Sequence, residues 1–211
     1  MYLSKLVLNE RDRAVQHDLS NAHALHQRIM QAFPDEQRDN PRADWNVLFR
    51  QEPDSGIVLV QSGTEPNWTH LPSGYLSDRT DQPIQSKPCD FQIKRLQPGQ
   101  ILQFRLKANP SKRDKQTRKL IGMFHASDQI AWLERQASQH GFKPLGFDVI
   151  PTPNVFGIKA KGTAPIRILT VLYQGTLEIT DSALFISAIQ QGIGRGRSYG
   201  CGLLSIARIM H

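Results

Sequence analysis

The feature that most constrains this chain is an alternation of elements in its second half. A helix is expected over residues 128–140, with Ile130, Leu133 and Ala137 as its buried stripe, Ser127 as its cap and Gly141 as its stop. Strands follow near 143–150, 154–161 and 165–173, the last bending into 175–179. A second helix spans 182–190, capped by Asp181 and ended by Gly192, and the final strand covers 202–209. Strand, helix, strand, strand, helix, strand is the ferredoxin-like pattern.

The first half approximates the same order. Residues 2–8 read as a strand. Residues 22–33 read as a helix with Ala22, Leu25, Ile29 and Phe33 at helical spacing, Asn21 or Ser20 as cap, and Pro34 and Asp35 as its end. Strands at 45–50 and 56–61 flank the turn residues Glu52, Pro53, Asp54, Ser55 and Gly56. The stretch 62–87, rich in Pro, Gly, Ser, Thr and Asp, predicts irregular structure with at most a short helix. Residues 100–107 alternate, with Leu102, Phe104 and Leu106 on one face and Gln103, Arg105 and Lys107 on the other. The fold class expected is therefore α+β, two tandem ferredoxin-like domains, with one larger α+β domain as the alternative. The boundaries are 1–110 for the first, 111–124 for a basic, exposed and mobile linker, and 125–211 for the second.

The two cysteines, Cys89 and Cys201, lie far apart and show no zinc-ligand spacing, which argues against a disulfide framework or structural zinc. A reducing cytoplasm fits. No segment approaches the roughly 20 apolar residues of a spanning helix, and the N-terminus does not read as a signal peptide. The net charge of +7 makes nucleic acid the first partner to consider, because basic surfaces gain affinity by releasing counterions.

Within that frame a few residues can carry chemistry. His23 and His26 stand three apart on the first helix, so both project to nearly one side. His26 borders the apolar stripe beside Ile29 and Met30. Imidazole moves protons near neutral pH, although a solvent-facing pair is the plainer reading of the spacing. Metal ligation would need further partners that the sequence does not supply. Residues 192–202 hold five glycines, with Arg195, Arg197 and Tyr199 between them. Such a loop can approach a ligand closely, its arginines can meet phosphates and its tyrosine can stack on a base; equally it can be a helix stop and a tight turn. Arg105, Lys107, Lys112 and Arg113 form a basic patch suited to phosphates. Lys159, Lys161 and Arg167 flank the turn of a β-hairpin that could lie along an RNA groove. Both sets could also be solvated charge. Trp45, Trp68 and Trp132 read as packing residues.

Taken together, these residues resemble the CRISPR-associated endoribonuclease family CasE, the RNA-processing subunit of type I-E Cascade. The matching segments are Met1-Tyr2-Leu3-Ser4-Lys5-Leu6, the helix with His26, Phe104-Arg105-Leu106-Lys107-Ala108-Asn109-Pro110, Gln129-Ile130-Ala131-Trp132-Leu133, and the glycine-rich tail through Leu204-Ser205. The resemblance implies tandem ferredoxin-like (RAMP- or RRM-like) domains and recognition of a CRISPR repeat RNA hairpin. It further implies one cut at the 3′ base of that hairpin, and retention of the guide RNA among the other Cascade subunits. No metal, small-molecule cofactor or membrane is implied. The family's catalytic histidine falls on His26. Some members carry a tyrosine one turn earlier, where this chain has His23, which leaves open whether His23 assists. A cation would balance charge at phosphorus: Arg28, turned away from His26 on the same helix, or a lysine or arginine from elsewhere. The alternatives are a non-catalytic RNA-binding subunit of a ribonucleoprotein, or a DNA-binding factor.

Overall fold

The structure, a computed structural model, describes residues 1–34, 41–53 and 55–209, with the backbone alone at residue 91. Asp35, expected to help end the first helix, and Asp54, expected in the turn, lie outside the described residues. The chain divides into two units. One holds Met1–Gln92, Phe156–Arg167 and Ser198–Gly200; the other holds Ile93–Val155, Ile168–Arg197 and the chain from Cys201 on. No helix among the described residues is long and apolar enough to cross a membrane.

The first unit opens with β1 (Tyr2–Val7), then α1 (Arg13–Ser20) and α2 (Ala22–Met30), a single turn α3 (Pro41–Asp44), β2 (Leu48–Gln51), β3 (Ile57–Ser62), β4 (Ile84–Pro88) and a turn α4 (Asp90–Ile93) that runs into the second unit. Its sheet is ordered β2-β3-β1-β4, the 4-1-3-2 arrangement of a ferredoxin-like domain. The core beneath it contains Leu6, Val15, Leu25, Ile29, Phe49, Val58, Val60 and Trp68. Each such large side chain contributes about 1.5–3 kcal/mol on burial. α2 is held by polar contacts as well. The buried Asp18 carboxylate accepts from Arg28 Nε at 2.9 Å and from the Tyr75 hydroxyl at 2.9 Å.

Two elements of this unit depart from the sequence reading. α1 has few apolar residues; Asp12 caps it by accepting from the Ala14 and Val15 amides. The segment expected to be irregular forms a 3-10 turn at Trp68–His70 and then β4. β4 is a polar edge strand, so it shows no apolar alternation; it pairs antiparallel with β1 from Tyr2↔Pro88 to Leu6↔Ile84.

The second unit contains β5 (Ile101–Ala108), a small β-hairpin of β6 (Ser111–Arg113) and β7 (Leu120–Gly122), α5 (Ala126–Gln139) and β8 (Phe142–Pro151). A two-stranded β-hairpin, β9 (Val155–Gly157) with β10 (Ile166–Ile168), crosses the boundary between the units. β11 (Val171–Ile179), α6 (Ser182–Gln191) and β12 (Leu204–Arg208) complete the second unit. Its sheet order, β12-β5-β11-β8, is again 4-1-3-2, and the protein is built of two tandem ferredoxin-like domains.

The strand expected to close the first half is therefore the opening strand of the second domain. β5 pairs with β11 and β12, which lie some 60 or more residues later, and alternation alone does not reveal which sheet a strand joins. The expected mobile linker includes the β6–β7 pairing; Asp114 Oδ1 turns the chain between them by accepting from the Gln116 and Thr117 amides. α5 starts one residue before the expected cap, with His125 at its N-cap position and no side-chain cap bond. Its buried face is Gln129, Trp132, Leu133 and Ala137, while Ile130 is 38% exposed. The buried face is rotated away from Ile130 toward Trp132, which stacks 6.0 Å from Tyr173. Asp181 caps α6 as expected, accepting from the Leu184 amide at 2.9 Å.

Candidate active site on the first-domain helix

Asn21 starts α2, its side-chain oxygen accepting from the His23 amide at 3.1 Å. Helical spacing then brings His23 and His26 to one side, with ring centroids 6.5 Å apart and planes tilted by 37°. Leu25 and Ile29 are buried beneath them. Both imidazoles are half-buried, so neither is sealed into the core. Nδ1 of each ring is shielded from solvent and makes no hydrogen bond. A buried polar atom without a partner carries a desolvation cost of about 1–3 kcal/mol, and such atoms are uncommon enough in folded proteins to call for a reason.

The pKa of His26 is pushed down from 6.5 to about 4. Burial is the main cause, followed by the charge of His23 and that of Arg42. Burial disfavours the imidazolium and a like charge nearby disfavours it further. His26 is thus a neutral base at physiological pH.

The tip of the glycine-rich loop belongs to the first unit. There Tyr199 meets His26 edge-on, centroids 6.2 Å apart at 70°. Gly200 makes this approach possible. Its φ is +81°, and a Cβ there would stand 3.3 Å from Phe49 Cε2, so a larger residue would be both strained and crowded.

The other candidates are distributed as follows. Lys159, Lys161 and Arg167 are exposed on the first-unit segment that contains the β9–β10 turn. Arg105 is half-buried on β5, where Nε donates to Gln174 Oε1 at 2.9 Å and Nη2 bonds the same oxygen; Lys107 follows on the same face. Lys112 is exposed, 3.8 Å from Asp128 Oδ2. Arg113 donates to the Arg118 carbonyl at 3.0 Å. Arg195 is exposed, whereas Arg197 is half-buried and donates Nε to the Gly194 carbonyl at 3.0 Å, so part of its guanidinium holds the loop together. These six belong to the second unit. Arg28 pairs with Asp18 and lies over the Tyr75 ring, 5.4 Å from its centroid, which commits it to packing and not to the histidines. Trp68 and Trp132 are buried and Trp45 packs on the first core, as expected of all three. Among the described residues no group of three or more His, Cys, Asp or Glu could hold a metal ion.

Two features of this site have no signal in the sequence. Arg42, on α3, supplies positive charge near His26; nothing in the chain order signals that. Asn21 was read as a cap only, yet it also holds the β9–β10 segment. Its oxygen accepts from the Ile158 amide at 3.1 Å and its nitrogen donates to the Ile158 carbonyl at 3.2 Å.

The chain matches a family described as CRISPR associated protein over residues 1–208. It is 34% identical to the CRISPR-associated endoribonuclease Cse3 of Thermus thermophilus, covering 98% of this chain and 100% of that one. It is 33% identical to the CRISPR system Cascade subunit CasE of Escherichia coli, over 98% and 99%. A structure of the CRISPR endoribonuclease Cse3 bound to 19 nucleotides of RNA superposes with a TM-score of 0.82 at 32% identity, covering 98% of this chain and all of the other. With end-to-end similarity in sequence and fold, this chain belongs to the CasE (Cse3) family of CRISPR-associated proteins.

Proposed function

We propose that this protein is an endoribonuclease that binds the hairpin of a CRISPR repeat and cuts the precursor RNA once at the 3′ base of that hairpin. It then stays on the guide RNA with the other subunits of a Cascade complex, in the cytoplasm. The names of the relatives, one an endoribonuclease and one a Cascade subunit, support the activity and the assembly. The observation that carries the reading is the His23–His26 pair, two half-buried imidazoles 6.5 Å apart on one side of α2, each with Nδ1 sheltered and unpartnered and part of its ring exposed.

In the mechanism inferred, neutral His26 takes the proton of the ribose 2′-hydroxyl. The 2′-oxygen attacks the adjacent phosphorus, the bond to the 5′-oxygen breaks, and that oxygen leaves with a proton delivered by way of His23. The products are a 2′,3′-cyclic phosphate and a 5′-hydroxyl. Because the substrate brings its own nucleophile, the reaction calls for no metal. Arg42, whose charge acts on His26, is the candidate cation for the charge that develops on phosphorus, the kind of stabilisation that is worth most in a sheltered site. Arg105, Lys107, Lys112, Arg113, Lys159, Lys161, Arg167, Arg195 and Arg197 supply phosphate contacts, and Tyr199 offers a ring for a base. Binding accordingly weakens steeply with salt.

The test is cleavage of a repeat RNA hairpin with analysis of both new ends, in EDTA. A cyclic phosphate and a 5′-hydroxyl are expected, and a single 2′-deoxy nucleotide at the scission site abolishes cutting. Cutting of that deoxy substrate, or strong inhibition by EDTA, overturns the mechanism. Tight binding of uncut RNA indicates the non-catalytic reading.

A further inference from the structure

The β9–β10 hairpin that carries Lys159 and Lys161 is joined to the catalytic helix by one side chain. Asn21 makes three hydrogen bonds, one to the start of α2 and two to Ile158. The two bonds to Ile158 engage its N–H and its C=O together, as a neighbouring peptide group would, so they fix orientation as well as distance. The preceding residue has no room to shift. Gly157 is buried, and a Cβ there would lie 3.0 Å from Asn21 Oδ1, 3.2 Å from the His23 nitrogen and 3.4 Å from the Ala22 nitrogen. The backbone of this segment therefore rests on the first turn of α2, two residues from His23. Lys159 follows directly and Lys161 two residues later, both exposed.

A helix cap alone does not require this arrangement. Serine or aspartate serves at that position as well as asparagine, but ionised aspartate has no donor and serine carries donor and acceptor on one oxygen, so neither presents the side-by-side acceptor and donor of an amide. We infer that Asn21 is a positioning residue that sets the register between the RNA held by the Lys159–Lys161 segment and the His23–His26 pair, and so selects which phosphodiester is cut. The inference rests on the reading above that this segment grips RNA. A misplacement of about 1 Å at a reacting centre can cost on the order of 100-fold in rate, so a joint this close to the histidines has leverage on both rate and choice of bond.

Two variants separate register from stability. Asn21→Ser keeps an oxygen for the His23 amide and loses the paired bonds to Ile158. Gly157→Ala leaves the cap residue in place and pushes the segment off the helix. The full-length variants are compared with the wild type in single-turnover cleavage of an end-labelled repeat RNA hairpin, resolved to one nucleotide, alongside RNA affinity and thermal unfolding. Both variants are expected to cleave about 10- to 100-fold more slowly and to spread cutting onto neighbouring bonds, with affinity falling less than the rate and Asn21→Ser unfolding near the wild-type temperature. Cutting at the same single bond, whether at the wild-type rate or slowed only in proportion to lost affinity, overturns the inference. A wild-type protein that does not cut at all refutes the proposed function instead, which keeps the two failures distinct.

Discussion

α2 and α5 occupy the same place in their domains, each between the first and second strands of a 4-1-3-2 sheet, and they use it differently. α5 runs for 14 residues and turns Trp132, Leu133 and Ala137 into its core, with Gln129 buried beside them and donating to the Met123 carbonyl at 2.8 Å. Its buried polar side chain is matched. α2 runs for 9 residues, buries Leu25 and Ile29, and leaves two sheltered imidazole nitrogens without partners. It is anchored partly by ionic contacts, through Arg28 and the buried Asp18. One domain's crossover helix is committed to packing. The other's gives up some polar satisfaction to hold two titratable rings near the surface. Buried polar atoms without a partner call for a reason, and in the function proposed above the reaction supplies it for the two rings of α2.

The comparison breaks first at His26. His26→Ala removes the proposed base, and general acid–base catalysis is worth about 10² to 10⁴ in rate. A loss of that size in single-turnover cleavage, with RNA affinity unchanged, is expected. A loss below about tenfold would return α2 to the status of a second packing helix. The complementary change is Leu133→Ala on α5. Leu133 is fully buried, and such truncations cost about 2–5 kcal/mol. Denaturant unfolding should show that loss, while the folded protein cleaves at its normal rate. If Leu133→Ala instead slows chemistry in folded protein, the division of labour between the helices fails.

How far this contrast was legible beforehand differs by residue. The Asn21 cap, the spacing of His23 and His26, and the buried Leu25 and Ile29 are local, and the 3.6-residue period exposes them. Element order makes the two ferredoxin-like domains legible, but not the sheet that β5 joins, because strand pairing is decided by partners distant in sequence. β4 is not legible in the sequence because an edge strand of Gln85, Ser86 and Lys87 carries no burial pattern. Ile130 fits a stripe with Leu133 and Ala137 at helical spacing, and only the three-dimensional packing shows that the buried face instead takes in Gln129 and Trp132. In the site, Arg42 and Tyr199 reach His26 through the fold and not through spacing; Tyr199 was read for its ring and glycine setting, with a base as its expected neighbour. The family resemblance pointed to His26, but burial, charge and the missing partner could only be read in three dimensions.

The smallest expected effect concerns Tyr199, and it separates two roles for that ring. If Tyr199 shelters His26, as their edge-on contact suggests, then Tyr199→Ala admits water to the imidazole. The His26 pKa, held near 4 mainly by burial, then climbs toward 6.5 in the RNA-free protein. Histidine NMR titration reads this directly, and Tyr199→Phe, which keeps the ring, should leave the value low. Stability follows with a definite sign. The unfolded chain binds a proton at His26 near pH 6.5 and the folded chain only near 4, so the unfolded state holds more protons between those values. The contribution of neutral His26 to stability is therefore present in full above about pH 6.5 and is lost as pH falls toward 4. Tyr199→Ala should flatten that acid-side decline. If the His26 titration is unmoved and only RNA affinity drops, Tyr199 serves the bound base alone, and the depressed pKa of His26 owes its burial to the packing of α2 and α3.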